Sequence, residues 1–291
     1  MKSTSILSMA IVLLIAIYSC NSQKKPSSIN NQKTNKMVNK TAKEKAVALL
    51  ESLPTKNTLA VVEYVSDEKY IQHNPNVPDG KKVFEGFVKQ GLISKAKVVR
   101  VFQDENYVVA HMDYDFMGNQ IAFDVIRFEN GKAVEHWDNL VKKSDKPSPS
   151  GHTQIDGTTE IKDFDKTEEN KTLIKDFVNT ILIGQNYDQS SRFFDGDNYI
   201  QHNTQVPDGV SGFGQALKAM ADQGIYMVYE KTHKILGQGN FVLTMSEGTF
   251  GGKPTAFFDL FRVENGKIAE HWDVIETIPA KDLWKNNNGK F

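Results

Sequence analysis

Apolar residues recur at helical spacing in two places: Ala46, Leu49, Leu50 and Leu53, then Leu173, Ile174, Phe177, Val178, Ile181 and Leu182. Three- and four-residue spacing puts each set on one stripe that must face a core. A second short helix is expected over 58–64 and 187–194, and a third over 83–89 and 213–221. The pattern then changes to β-branched and aromatic runs between turn residues, at 97–102, 107–116, 121–128 and 132–141 in the first half. Glu129-Asn130-Gly131-Lys132 predicts a hairpin, because Asn-Gly supplies the two positive φ angles of a type I′ turn, and Glu264-Asn265-Gly266-Lys267 repeats the signal. Helices followed by an antiparallel sheet predict an α+β class.

The repetition extends well beyond the turns. Tyr70-Ile-Gln-His-Asn-Pro-Asn-Val-Pro-Asp-Gly80 returns as Tyr199-Ile-Gln-His-Asn-Thr-Gln-Val-Pro-Asp-Gly209. Phe123-Asp-Val-Ile-Arg-Phe-Glu-Asn-Gly-Lys-Ala-Val-Glu-His-Trp-Asp138 returns as Phe258-Asp-Leu-Phe-Arg-Val-Glu-Asn-Gly-Lys-Ile-Ala-Glu-His-Trp-Asp273. Two motifs recurring in the same order indicate a duplicated domain, and the period is too long for a solenoid. Residues 41–141 and 166–281 are the two copies. Residues 142–165, with Lys-Pro-Ser-Pro-Ser-Gly, have linker composition, and 282–291 form a tail.

The N-terminus reads differently. Lys2 precedes the apolar run 6–17, which is too short to span a bilayer and fits a signal peptide over 1–19. Ile17-Tyr18-Ser19-Cys20 resembles a bacterial lipobox, and Cys20 is the only cysteine, so acylation of Cys20 and a membrane-anchored place in the cell envelope, facing the periplasm or the exterior, are expected. The polar stretch up to residue 40 reads as a disordered tether. A formal net charge of -1 over 291 residues, with no basic stripe, argues against a nucleic-acid partner.

Strand alternation groups the candidate chemistry. Val134, His136, Asp138 and Leu140 share one face of the last strand, and Ala133, Glu135, Trp137 and Asn139 the other. His271 and Asp273 repeat the first set. If the Asn-Gly turn is followed by plain pairing, Asp124 lies on the Trp137 face; a bulge reverses this. A His and an Asp two apart on an apolar-flanked face can form an acid/base pair, or can be architecture that ties strands and loops together. His73 and His202, where a helix gives way to a Pro-containing turn, form a second candidate pair. His-x-Asp could present two metal ligands, but the spacing offers no tight cluster, and no metal is assigned.

Together the two motifs resemble the SnoaL-like, polyketide cyclase-like domains of the NTF2-like superfamily, over both copies. The resemblance implies a curved sheet wrapped by helices into a cone with a pocket, no cofactor, and an aldol-type ring closure in which an aspartate is the acid/base. That role falls on Asp138 and Asp273, with His73 and His202 as partners. His136, His271, Asp124, Asp259, Tyr70, Tyr199, Asn74 and Asn203 are the further pocket candidates. The expected ligand is a small apolar or carbonyl-containing molecule, bound either for catalysis or only for carriage. Two linked copies are expected to pair sheet to sheet within one chain.

Overall fold

The computed structural model describes residues 40–291, which form one compact unit. The signal peptide, Cys20 and nearly all of the tether lie outside the described residues. Among those described, no helix is long and apolar enough to cross a membrane.

The first repeat runs α1 (Ala42–Ser52), α2 (Leu59–Tyr64), β1 (Ile71–Gln72), α3 (Lys81–Gln90), β2 (Ile93–Asp104), β3 (Tyr107–Phe116), β4 (Asn119–Glu129) and β5 (Lys132–Lys142). The second runs α4 (Thr167–Phe177), β6 (Ile200–Gln201), α5 (Gly209–Ala221), β7 (Met227–Gln238), β8 (Phe241–Phe250), β9 (Lys253–Glu264) and β10 (Lys267–Thr277). Helix α1 starts at a capping box, with Thr41 accepting from the Glu44 amide and Glu44 answering to the Thr41 amide. After α4 the helical stripe continues as a π turn, Val178–Ile183, and 187–192 is 3-10 helix.

Each repeat carries a five-stranded sheet, in the orders β1-β5-β4-β3-β2 and β6-β10-β9-β8-β7. The helices cover one face, with Ala46, Leu49, Val61, Val88 and Met112 in the core beneath those of the first repeat. This is the α+β, two-cone architecture expected from the sequence. The Asn-Gly turns have φ of 48° and 75° at Asn130 and Gly131, and 52° and 72° at Asn265 and Gly266.

The other face of each sheet meets the other repeat. Phe102, Phe123, Val125 and Trp137 pack with Phe241, Leu243, Phe258, Leu260 and Trp272 in one buried cluster. Asn139 donates across the seam to the carbonyls of Ala256 (3.0 Å) and Val274 (2.7 Å). Two cations cap the tryptophans reciprocally: Arg100 of β2 lies 4.2 Å over Trp272, and Lys234 of β7 lies 4.4 Å over Trp137.

The stretches read as linker and tail are packed. Residues 148–158 cross the Tyr-Ile-Gln-His loop of the second repeat, where Ser150 Oγ accepts the Asp208 amide (2.8 Å) and the Thr153 carbonyl accepts His202 Nδ1–H (2.8 Å). Residues 285–290 do the same to the first repeat: the Pro75 carbonyl accepts the Lys285 amide (2.7 Å), Asn286 donates to the carbonyls of Asn74 and Val77, and Asn288 donates to Gln72 and Asp79.

Candidate active site

The repeated first motif builds a closed loop. Gly80 donates its amide to the Tyr70 carbonyl (2.9 Å), and Asp79 Oδ1 accepts the Gln72 amide (2.8 Å). Gly80 has φ of 103°, a conformation open to glycine and strained for other residues, which is why the turn ends on that residue. The loop lays β1 parallel to β5, in register Ile71 to Glu135 and Gln72 to His136. The first motif is thereby delivered to the second.

A bulge at Val134 then decides which side chains face inward. The pairing runs Asp124 to Asp138, Val125 to Trp137, Ile126 to His136 and Arg127 to Glu135, then slips to Phe128 with Ala133. Asp124 therefore shares a face with His136 and Asp138 and not with Trp137, which corrects the expectation from plain pairing. Ala133 likewise joins the helix-covered core and not the Trp137 face. The second repeat has the same slip between Ile268 and Glu270.

On this face a cavity of about 460 Å³ opens beneath α3. Leu50, Leu53, Val83, Phe84, Phe87, Ile93, Ile126 and Leu140 make its apolar wall; Tyr70, Gln72, Asn74, Asp124, His136 and Asp138 make its polar end. The size and lining suit a small organic molecule. Asp138 is 8 % exposed. Its Oδ2 accepts from Asn74 Nδ2 at 3.0 Å, and its Oδ1 is buried without a partner among the described residues. Asn74 cannot turn its amide around, because its Oδ1 accepts the Asn76 amide at 2.9 Å. One oxygen of Asp138 is thus fixed by Asn74, and the other is buried and unpaired at the polar end of the cavity.

His136 sits between two acceptors. Its Nδ1 faces Gln72 Oε1 at 2.9 Å, an oxygen that also accepts the Asn74 amide, so Nδ1 carries a proton. Its Nε2 lies 2.9 Å from Asp124 Oδ1, and Tyr114 donates to Asp124 Oδ2 at 3.0 Å. Burial works to depress the His136 pKa, but the bond to Asp124 and the charges of Asp138 and Asp124 outweigh it and hold the imidazole above its usual 6.5. Burial pushes the Asp124 carboxyl up, with the His136 bond opposing it. The pair is a buried proton store that titrates as one unit.

A raised folded-state pKa means that the stability His136 adds is complete below about pH 6.5 and is lost as pH rises through the raised value. His73, His111 and His233, with pKa values depressed by burial, act in the opposite sense, so the expected result is read by difference: Asp124→Asn lowers the urea midpoint relative to wild type more at about pH 6 than at about pH 9. The same change should move the His136 titration, followed by ring-proton NMR, to lower pH.

The structure does not bring every candidate to the cavity. His73 and His202 lie on the inter-repeat side, stacked on Trp137 and Trp272 at 4.5 Å and bonded to Glu135 (2.8 Å) and Glu270 (2.9 Å). Their expected place as partners of the acid/base aspartates is therefore corrected: β1 runs parallel to β5, and residue 73 falls one step past Gln72 onto the opposite face. Gln72, Tyr114 and Glu276 line the cavity without having been singled out in the sequence. Gln72 carried a usable signal, since it repeats as Gln201 in an otherwise chemical motif.

The second repeat reproduces the frame. Asn203 donates to Asp273 (2.8 Å), His271 lies between Gln201 (3.0 Å) and Asp259 (3.1 Å), and Tyr229 donates to Asp259 (3.2 Å). Burial raises the Asp273 pKa. The walls differ. Phe261 stands where the first repeat has the cavity-lining Ile126, with its ring 4.8 Å from that of His271, and Phe257 stands in place of Ala122, stacked 4.2 Å from Tyr229. Tyr199 packs on Phe194 at 4.9 Å.

Asp124, His136 and Asp138 place ligand atoms within 4.8 Å of one another, as do Asp259, His271 and Asp273, and His152, Asp156 and His202. Strand pairing creates the first two clusters and the packing of residues 148–158 on the second repeat's loop creates the third, none of which linear spacing revealed. They fit a metal poorly. Both nitrogens of His136 and of His271 face acceptors, and His202 Nδ1 donates to a carbonyl, so the protonated nitrogens hold no lone pair for an ion.

No family model and no curated protein matches the sequence. Solved structures that resemble it include a SnoaL-like polyketide cyclase from Agrobacterium tumefaciens, at 15% identity and TM-score 0.30, covering 37% of this chain and 91% of that one. An M. tuberculosis LEH-like epoxide hydrolase has 23% identity and TM-score 0.29, covering 38% and 85%. A protein of unknown function with a cystatin-like fold from Xanthomonas campestris has 19% identity and TM-score 0.32, covering 40% and 98%. Each spans about one repeat.

Proposed function

We propose that the first repeat is a cofactor-independent catalyst of the SnoaL-like, cyclase or isomerase kind, which moves a proton at a carbon next to a carbonyl group of a small, mainly apolar molecule. The observation that carries this reading is the buried, unpartnered Oδ1 of Asp138 at the polar end of the cavity. As a carboxylate, Asp138 takes the proton from carbon, and the electron pair passes to the carbonyl oxygen as an enolate. The Tyr70 hydroxyl, on the same cavity wall and without a protein partner among the described residues, is placed to donate to that oxygen. After the new bond forms or the double bond moves, the proton returns. Native mass spectrometry of the unit from Lys40 onward in heavy water, with candidate carbonyl compounds and the bound compound released and identified by chromatography, tests it: deuterium gained next to the carbonyl or a changed retention time with the wild type and neither with Asp138→Asn supports the reading, and equal transformation by both sinks it.

For the second repeat a non-catalytic binding or scaffold role is favoured, because Phe257 and Phe261 crowd the position of the first repeat's cavity. The double change Phe257→Ala with Phe261→Ile should raise the ligand count per chain from one to two in the same spectra.

The reading includes an address. Acyl groups on Cys20 would hold the folded unit at a membrane surface of the cell envelope, supported by the lipobox-like Ile17-Tyr18-Ser19-Cys20 after the apolar run. Cells fed an alkyne-tagged fatty acid should label the chain, and Cys20→Ala should remove the label.

A further inference from the structure

The first repeat does not build its cavity alone. Glu276, at the end of β10 in the second repeat, lines it. Glu276 Oε2 accepts from Lys290 Nζ at 2.7 Å and from the Leu140 amide at 3.4 Å. Lys290 is 4 % exposed, and its ammonium also donates to the Asp138 carbonyl at 2.8 Å. Among the described residues, Glu276 Oε1 accepts no hydrogen bond. The register counterpart of Glu276 in the first repeat is Val141, so the second repeat's site receives no equivalent group.

The donors and acceptors at this end are unbalanced. Asn74 Nδ2 is engaged by Asp138, both His136 nitrogens face Gln72 and Asp124, Tyr114 donates to Asp124, Gln120 Nε2 donates to the Phe116 carbonyl, and Lys290 is shared as above. Among the described residues the oxygens left over are Asp138 Oδ1 and Glu276 Oε1, and the donors left over are the neutral Tyr70 hydroxyl, taken by the substrate carbonyl in the proton-transfer reading, and the neutral Gln72 Nε2. Three carboxyl groups, Asp124, Asp138 and Glu276, stand against two cationic groups, His136 and Lys290. A ligand that brings only acceptors leaves these oxygens desolvated and unpaired, which weakens its binding. A ligand with a donating head removes both the unpaired oxygens and the excess negative charge.

We propose that Glu276, contributed by the second repeat, is a head-group subsite of the first repeat's cavity, selecting ligands with an apolar body and a hydrogen-bond-donating head, best a protonated amine and next a hydroxyl. The subsite deepens the proton-transfer reading: the donor head is held by Glu276, which Lys290 ties to the Asp138 backbone, and Asp138 Oδ1 is left for the reacting carbon. It explains why the chain keeps a buried Lys290 beside the site, since the ion pair through Oε2 orients the carboxyl group and offsets part of the burial that raises its pKa, while Oε1 remains open.

Three probes with one tail test it by calorimetry on the unit from Lys40 onward: para-butylbenzylamine, para-butylbenzyl alcohol and para-butylbenzoate. The wild type should bind the amine about tenfold or more tighter than the benzoate, with the alcohol between. Glu276→Gln should bring amine and benzoate within about threefold of each other. Because Glu276→Gln strands the buried Lys290 and can fail to fold, Glu276→Gln with Lys290→Met is measured beside it and should give the same levelling. Equal binding of all three by the wild type overturns the subsite, and so does an amine preference that survives in either folded variant. Binding alone is read, so absence of any turnover by Asp138 would sink the catalytic reading and leave this test standing.

Discussion

Asp138→Asn lowers turnover of a cavity-bound carbonyl compound by about 10²–10⁴-fold, the range typical of a lost general base, while its dissociation constant moves by only a few fold. The split between the two quantities is the informative part. Asparagine keeps the size of the side chain and can still meet Asn74 through its own oxygen, so the loop and the cavity stay in place. What is lost is a group that accepts a proton. Asp273→Asn should leave turnover close to wild type, because the same frame in the second repeat is lined by the rings of Phe257 and Phe261. Single-turnover kinetics on the two variants checks both statements, and equal losses from Asp138→Asn and Asp273→Asn would assign the chemistry to both repeats.

The largest effect on stability is expected at the seam. Trp272 is 1 % exposed, lies between His202 at 4.5 Å and the guanidinium of Arg100 at 4.2 Å, and donates its indole N–H to the Asp156 carbonyl at 3.0 Å. Trp272→Ala removes the ring, takes from the Asp156 carbonyl one of its two donors and from Arg100 its aromatic face, while the Arg100 bond to that carbonyl at 2.8 Å remains, and opens a void between two sheets that cannot both collapse into it. A loss of about 3–5 kcal/mol follows from the cavity term. Urea unfolding followed by fluorescence of the remaining tryptophans measures it. Because the seam belongs to both repeats, the two should lose stability together, in one transition.

Much of this organisation was legible beforehand, for identifiable reasons. Duplication doubles every signal, so the Asn-Gly turns, the helical stripes and the Tyr-Ile-Gln-His loop could be read twice. The inward face of β5 was readable for His136 and Asp138 because no irregularity separates them. Asp124 was misplaced because a bulge at Val134, a single extra residue, inverts every side chain beyond it and leaves no mark in composition. His73 misled for a related reason: its neighbour Gln72 faces the cavity, and alternation sends residue 73 to the tryptophan. Glu276 and Lys290 gave no signal at all. Neither lies in a repeated motif, and their approach to Asp138 depends on how the two halves close on each other.

The exchanged straps set an order of events during synthesis. Residues 285–290, which clamp the Tyr70–Gly80 loop and carry Lys290 to Asp138, leave the ribosome only after the whole of the second repeat. The first repeat emerges earliest, yet its pocket is the last part of the described fold to be closed. The second repeat's loop, by contrast, finds its strap at 148–158 already made. The first repeat's loop therefore waits for its strap until the second half has been translated, and its cavity is fully lined only when the half that supplies Glu276 and Lys290 is complete.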